Sequence, residues 1–278
     1  MVRVNPSVER EFNPRIAAPR FADEAPRRSA LARRTTALVE ERRRLEYGDG
    51  PREFVDLYRP SAPNGWLAVY FHGGYWRAGH PDDYAFVAGP LLAAGATVAI
   101  PGYDLCPSVP LAVIVEQARV ARDRLLCGTG MPGVKPGQVL LSGSSAGAHL
   151  AAMLMLDGPA AWSAPPVAAL ITGVYDLEPV RHTSVNEDLH LHSDDVERLS
   201  PLRRSGRLHC SRLLVAVGKD EPGAWKAMSR GIAQRAIDEG TDCSYLEIAG
   251  CDHFSVTTEL GRQGRLACAV AALMGESL

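Results

Sequence analysis

Residues 139–156 read VLLSGSSAGAHLAAMLML. A short apolar run stops at Ser142-Gly143, two serines follow, and Ala146-Gly147 opens a helical apolar pattern. The chain must therefore turn sharply from a buried strand into a helix within a few residues. Gly143-Ser144-Ser145-Ala146-Gly147 has the form G-x-S-x-G with Ser145 at its centre. Side chains at the two glycine positions would collide with the neighbouring strand and helix. The central serine is pushed to the carboxyl edge of a sheet, at a helix N-terminus whose dipole favours developing negative charge.

The rest of the chain supplies the sheet that this turn requires. Apolar strands are expected at 65–74, 95–104, 137–145, 167–176, 211–221 and 243–250, with a more alternating strand at 53–60. Amphipathic or apolar helices are expected at 112–126, 146–156, 224–240 and about 257–274. Continuous apolar strands alternating with helices specify an α/β fold with a mostly parallel sheet covered on both faces. The 278 residues fit one such domain spanning 1–278. Residues 1–50 read as a helical arm. Arginines dominate 27–46, where Leu31, Leu38, Val39 and Leu45 recur near helical spacing and Glu40 stands four residues before Arg44. The charged, histidine-bearing interval 176–210 reads as a small helical lid that caps the site together with part of the N-terminal arm.

A serine hydroxyl needs a base, and the base needs an orienting acid. Later strand ends offer both. LLVAVGKDE ends one strand with Asp220, and YLEIAGCDHF ends the next with His253. The order Ser145, Asp220, His253 suits this architecture. Asp176, Glu221 and Asp252 are rival acids, and Asp220 is preferred for the short loop that aims it at His253. An oxyanion hole is expected from His72-Gly73-Gly74. Gly73 permits the loop shape, the N–H groups of Gly74, Tyr75 and Ala146 face the oxyanion, and His72 pins the loop. Trp76 and Tyr75 are expected at the entrance, with Tyr175 as a further wall, and Arg181 or Arg203 as carboxylate contacts.

These residues resemble the α/β-hydrolase superfamily, in the branch with an HGG oxyanion loop. HGGYW (72–76) is similar to the HGGxW signature of kynurenine formamidases (arylformamidases). So are FNPR, YGDGPREFVDLYRP, YDLCPSVPLAVIVEQ, GSSAGAHLAAML, TGVYDLEPV, LSPL and VGKDE, from about residue 12 to 257. Ser144 departs from relatives that carry histidine before the nucleophile. The resemblance implies an α/β-hydrolase fold and cleavage of N-formyl-L-kynurenine to kynurenine and formate, through an acyl-enzyme on Ser145. A short-chain carboxylesterase on the same triad is the alternative, and a non-catalytic binding protein of this fold a remote one.

Composition excludes other classes. A net charge of -2 gives no global field for nucleic acid or anionic membrane, and no apolar run is long enough to span a bilayer. MVRVNPSVEREFNPR has no apolar core, so it does not read as a secretory signal. Six cysteines lack metal or framework spacing and read as reduced thiols in a cytoplasmic protein, with Cys106 and Cys251 near the site. His190 and His192 form HxH without a third ligand, so no metal is expected, and the chemistry requires no organic cofactor. The expected partner is a small aryl formamide or ester; a homodimer is left open.

Overall fold

The computed structural model describes residues 4–18, 21–36, 38–127, 134, 135 and 137–278. Three helices come first: α1 (Pro6–Phe12), α2 (Pro14–Ala17) and α3 (Phe21–Thr36). Then follow β1 (Glu41–Glu46), β2 (Phe54–Arg59), β3 (Leu67–Phe71), α4 (Ala88–Ala93), β4 (Thr97–Pro101), α5 (Leu111–Leu126), β5 (Val139–Ser144), α6 (Ala146–Met155) and β6 (Val167–Ile171). The chain continues with α7 (Asn186–Leu189), α8 (Ser193–Leu199), β7 (Arg212–Gly218), α9 (Gly223–Asp238), β8 (Asp242–Ile248), α10 (Ser255–Glu259) and α11 (Arg265–Leu273).

The eight strands form one sheet in the order β1-β2-β4-β3-β5-β6-β7-β8. β1–β2 and β2–β4 pair antiparallel, and the rest is parallel. Alternation along β3 builds both faces of the sheet. Leu67, Val69 and Phe71 join the core under α5, α6 and α9, while Ala68 and Tyr70 join the core under α4 and α11. β5 lies inside the sheet between β3 and β6, so its carboxyl end faces the middle of one rim. No helix among the described residues is long and apolar enough to cross a membrane.

The arm differs from the expected continuous helix. α3 ends at Thr36, and residues 41–46 form an edge strand. Arg42 and Arg44 stand two apart, so they share one face of β1 and both reach the buried carboxylate of Asp56 on β2, at 3.2 and 2.9 Å. That alternation outweighs the Glu40–Arg44 helical spacing, and the charged side chains suit an unpaired sheet edge. The C-terminal helix is also divided, into α10 and α11.

Residues 176–210 form a 3-10 turn, α7 and α8. They pack on the arm rather than over the rim: the Asn5 N–H donates to the His182 carbonyl, and Glu9 accepts from the N–H and hydroxyl of Ser184, both at 2.7 Å. His190 and His192 are exposed and occupy helix ends, one in a left-handed C-cap and one at the N-cap of α8.

Candidate active site

Ser145 sits between β5 and α6 at φ 54° and ψ -119°, a conformation rarely adopted by a residue with a side chain. Crowding imposes it. A Cβ on Gly143 would lie 2.4 Å from the Gly147 carbonyl, and one on Gly147 would lie 1.9 Å from the Phe71 carbonyl oxygen. Strand and helix therefore approach closely enough to leave the Ser145 hydroxyl at the rim. Ser144 points elsewhere, and its hydroxyl shares a 2.7 Å hydrogen bond with the buried Tyr70 hydroxyl.

His253 follows β8, and its Nε2 lies 3.0 Å from Ser145 Oγ. The imidazole is 5% exposed and packs against Trp225 with ring centroids 4.2 Å apart. On its other side Nδ1 donates to Glu221 Oε2 at 2.8 Å. Here the structure corrects the expected acid, because Asp220 is exposed and does not meet His253. Beyond β7 the backbone keeps pairing towards the β8 side, with the Asp220 N–H donating to the Cys251 carbonyl. A turn then closes from the Glu221 N–H to the Gly218 carbonyl and brings Glu221 inward. Glu221 is 3% exposed, and its second oxygen accepts the Gly218 N–H at 2.8 Å. The other rivals have separate uses: Asp176 pairs with Arg203 at 2.9 Å, and Asp252 caps α10 through Ser255 and Phe254.

Thr172, immediately after β6, completes the acid's surroundings. It is fully buried at φ 44°, and its hydroxyl donates to Glu221 Oε2 at 2.5 Å. Neither Thr172 nor Trp225 stands out in the sequence as a site residue. A threonine after a strand and a tryptophan in an amphipathic helix carry no special spacing.

The oxyanion loop follows β3. Gly74 has φ 126°, and a Cβ there would lie 2.0 Å from the Ala78 carbonyl oxygen. Its own carbonyl accepts from the Arg77 and Ala78 N–H groups, closing a turn that brings Gly73, Gly74 and Tyr75 to the cavity wall beside Ser145 and His253. The N–H groups of Gly74, Tyr75 and Ala146 have no protein acceptor among the described residues, so they are free to face a carbonyl oxygen. His72 Nδ1 lies 2.8 Å from the Gly73 carbonyl, and its ring stacks on Tyr103 at 4.2 Å. Burial pushes the His72 pKa down to about 3, so a neutral imidazole holds the loop.

The aromatic expectations divide. Tyr75 lines the cavity and donates its hydroxyl to the Phe12 carbonyl. Trp76 is fully buried against His149, with ring centroids 4.7 Å apart, and is not at the entrance. Tyr175 is likewise core. Both side chains belong to the same apolar core, where burial of large apolar area stabilises the fold. Arg181 is held by Glu178, and Arg203 by Asp176 and Glu197, so neither faces the cavity. Cys106 and Cys251 are buried, with thiol pKa values pushed up to about 11 by desolvation, and neither lines the catalytic cavity.

The cavity measures about 450 Å³. Its outer wall comes from the N-terminal arm, including Asn13, Pro14, Glu24, Arg28 and Ser29, and not from 176–210. Of the expected cap, the arm's share is present, supplied by Asn13, α2 and α3, while the 176–210 segment stays outside and supports α1. A hydroxyl, imidazole and carboxylate chained in this way can activate the oxygen as a nucleophile.

The family model that matches residues 68–257 is described as alpha/beta hydrolase fold. Kynurenine formamidase of Danio rerio is 30% identical over 268 residues, covering 91% of this chain and 90% of that protein. Kynurenine formamidase of Salmo salar is 30% identical over 270 residues, again covering 91% and 90%. The esterase of the archaeon Pyrobaculum calidifontis superposes with a TM-score of 0.75, covering 91% of this chain and 92% of that one. At 18% identity that likeness is one of fold alone. Sheet order, strained elbow and family match agree: the chain belongs to the α/β-hydrolase family and is a kynurenine-formamidase-like hydrolase within it.

Proposed function

We propose that the protein hydrolyses aryl formamides, with N-formyl-L-kynurenine as substrate and L-kynurenine and formate as products. The observation that carries this reading is the likeness to kynurenine formamidases across 91% of the chain. Ser145 attacks the formyl carbon while His253 Nε2 takes its proton, and the charge on the carbonyl oxygen meets the N–H groups of Gly74, Tyr75 and Ala146. The C–N bond breaks as His253 returns the proton to the aryl nitrogen. Water, deprotonated by the same imidazole, then attacks the formyl ester, releases formate and restores Ser145. Glu221 orients the imidazole and stabilises its charged form.

The aniline nitrogen of an aryl formamide leaves more readily than an alkyl amine, and formyl needs little room beside the HGG loop. The six cysteines are free thiols, which suits a reducing, cytoplasmic setting.

The test is kcat/KM on N-formylkynurenine against 4-nitrophenyl acetate. The formamide should be favoured by about 100-fold or more, given that matched binding of a whole substrate commonly contributes several kcal/mol to the transition state. A preference for the ester assigns the protein to short-chain carboxylesterases acting through the same residues.

A further inference from the structure

The charged side chains around the catalytic cavity are mostly committed to one another. Arg77 pairs with Asp188 at 2.6 Å, Asp82 with Arg42, and Glu24 with Arg27 at 2.7 Å. Arg28 is different. It lines the same cavity as Ser145 and His253, is half-buried, and has no carboxylate partner among the described residues. Asp83, which also lines the cavity, lies beyond ion-pair distance from it.

The guanidinium is nevertheless held in place. Nε donates to Thr258 Oγ1 at 3.1 Å, and one terminal nitrogen donates to the Phe254 carbonyl at 3.1 Å. The group lies 5.4 Å from the ring centre of Tyr84 and 5.3 Å from that of Phe86. Thr258, the Phe254 carbonyl, the Tyr84 hydroxyl and two rings fix its plane, and the Glu24 carboxylate is joined to it only through the shared Thr258 hydroxyl, with no direct ion pair. Phe254 directly follows His253, so the cation is anchored to the loop that carries the general base. A fixed, partly desolvated guanidinium with unused donors is suited to a carboxylate.

We infer that Arg28 is the anion anchor of the active site, receiving a carboxylate on the substrate while the scissile carbonyl sits at Ser145. This inference rests on the hydrolase reading above and narrows its substrates to those with an anionic group remote from the acyl carbon.

The experiment compares matched pairs. N-formylkynurenine is set against N-formyl-2-aminoacetophenone, the same aryl ketone without the amino-acid group. 3-(2-Acetoxyphenyl)propanoate is set against phenyl acetate. For each pair the readout is the ratio of kcat/KM for the carboxylate-bearing compound to that for the carboxylate-free one, in the native protein, Arg28→Met and Arg28→Lys. Because each ratio is taken within one variant, a general loss from loosening α3 cancels.

The native ratio should exceed one. It should fall by roughly 30-fold in Arg28→Met, the scale of a hydrogen bond to a charged group, and recover partly in Arg28→Lys. The loss should appear in KM. A native ratio near one, or a ratio unchanged by Arg28→Met, overturns the anchor. If the ester pair shows the Arg28-dependent ratio while neither formamide turns over, the anchor stands and the formamidase reading fails. If both formamides turn over equally well, the reverse holds.

Discussion

The hydroxyl of Thr172 donates to the carboxylate oxygen of Glu221 that His253 Nδ1 also contacts, at 2.5 and 2.8 Å. Two donors therefore converge on one oxygen, and the Gly218 N–H takes the other. The acid is fixed from three directions in a buried site, which sets the imidazole's orientation more firmly than a single contact would.

Glu221→Gln should lower kcat by about 10³- to 10⁴-fold, as expected when the group orienting a catalytic imidazole loses its charge. Asp220→Asn should stay within about two-fold of the parent, as an exposed substitution does. Steady-state kinetics of the two variants check the assignment, and the opposite pattern would restore Asp220.

Thr172→Val keeps the shape and removes the donor. We expect kcat to fall by about 10-fold with KM unchanged, because the loss falls on the orientation of the acid. Thr172→Ser should restore turnover. It should also raise Tm slightly, since it removes a β-branched side chain at φ 44°. Equal damage in both variants would indicate packing alone.

Ser145→Ala should abolish turnover, whereas Ser144→Ala should retain most of it. Ser144→Ala leaves the buried Tyr70 hydroxyl without its partner, so it should cost about 1–3 kcal/mol of stability instead. Activity assays and urea unfolding of both variants separate the chemical serine from the structural one.

Burial pushes the His149 pKa down to about 4 from 6.5, while Nε2 donates to the Leu199 carbonyl at 2.7 Å. Its folded value lies below its unfolded value, so the native state binds fewer protons between these limits. The stability it contributes is present above pH 6.5 and is lost as pH falls towards 4. His72, at about 3, acts in the same direction. His149→Gln can keep the bond to Leu199 without titrating. Its unfolding free energy should fall less steeply between pH 6.5 and 4, by up to about 1.4 kcal/mol per pH unit. Urea midpoints across that range check this, and identical slopes would count against it.

The parallel strands were readable because burial on both faces makes each a continuous apolar run, and Gly143, Ser145 and Gly147 marked the point where the chain must turn. The first edge strand was hidden because its arginines serve a buried aspartate on the next strand, a partnership that helical spacing within 27–46 does not reveal. The acid was missed by one residue. Adjacent Asp220 and Glu221 leave the same strand end, and only the turn back to Gly218 decides which faces inward. Trp76 and Tyr175 looked like wall residues because an aromatic beside a glycine loop has the same composition whether it faces a cavity or the core. Arg28 lay among many arginines, and its distinction is that no carboxylate lies within ion-pair distance of it among the described residues.

The sharing of the chamber between the arm and the sheet has a consequence for where the chain can be cut. The matched family region begins at residue 68, yet Asn13, Glu24 and Arg28 precede it and wall the chamber. Part of the chamber wall is therefore encoded apart from the strand ends that carry Ser145, Glu221 and His253. A stretch cut at residue 68 would lose not only Arg28 and its share of the wall but also β1 and β2, so the arm and the sheet stand or fall as one unit.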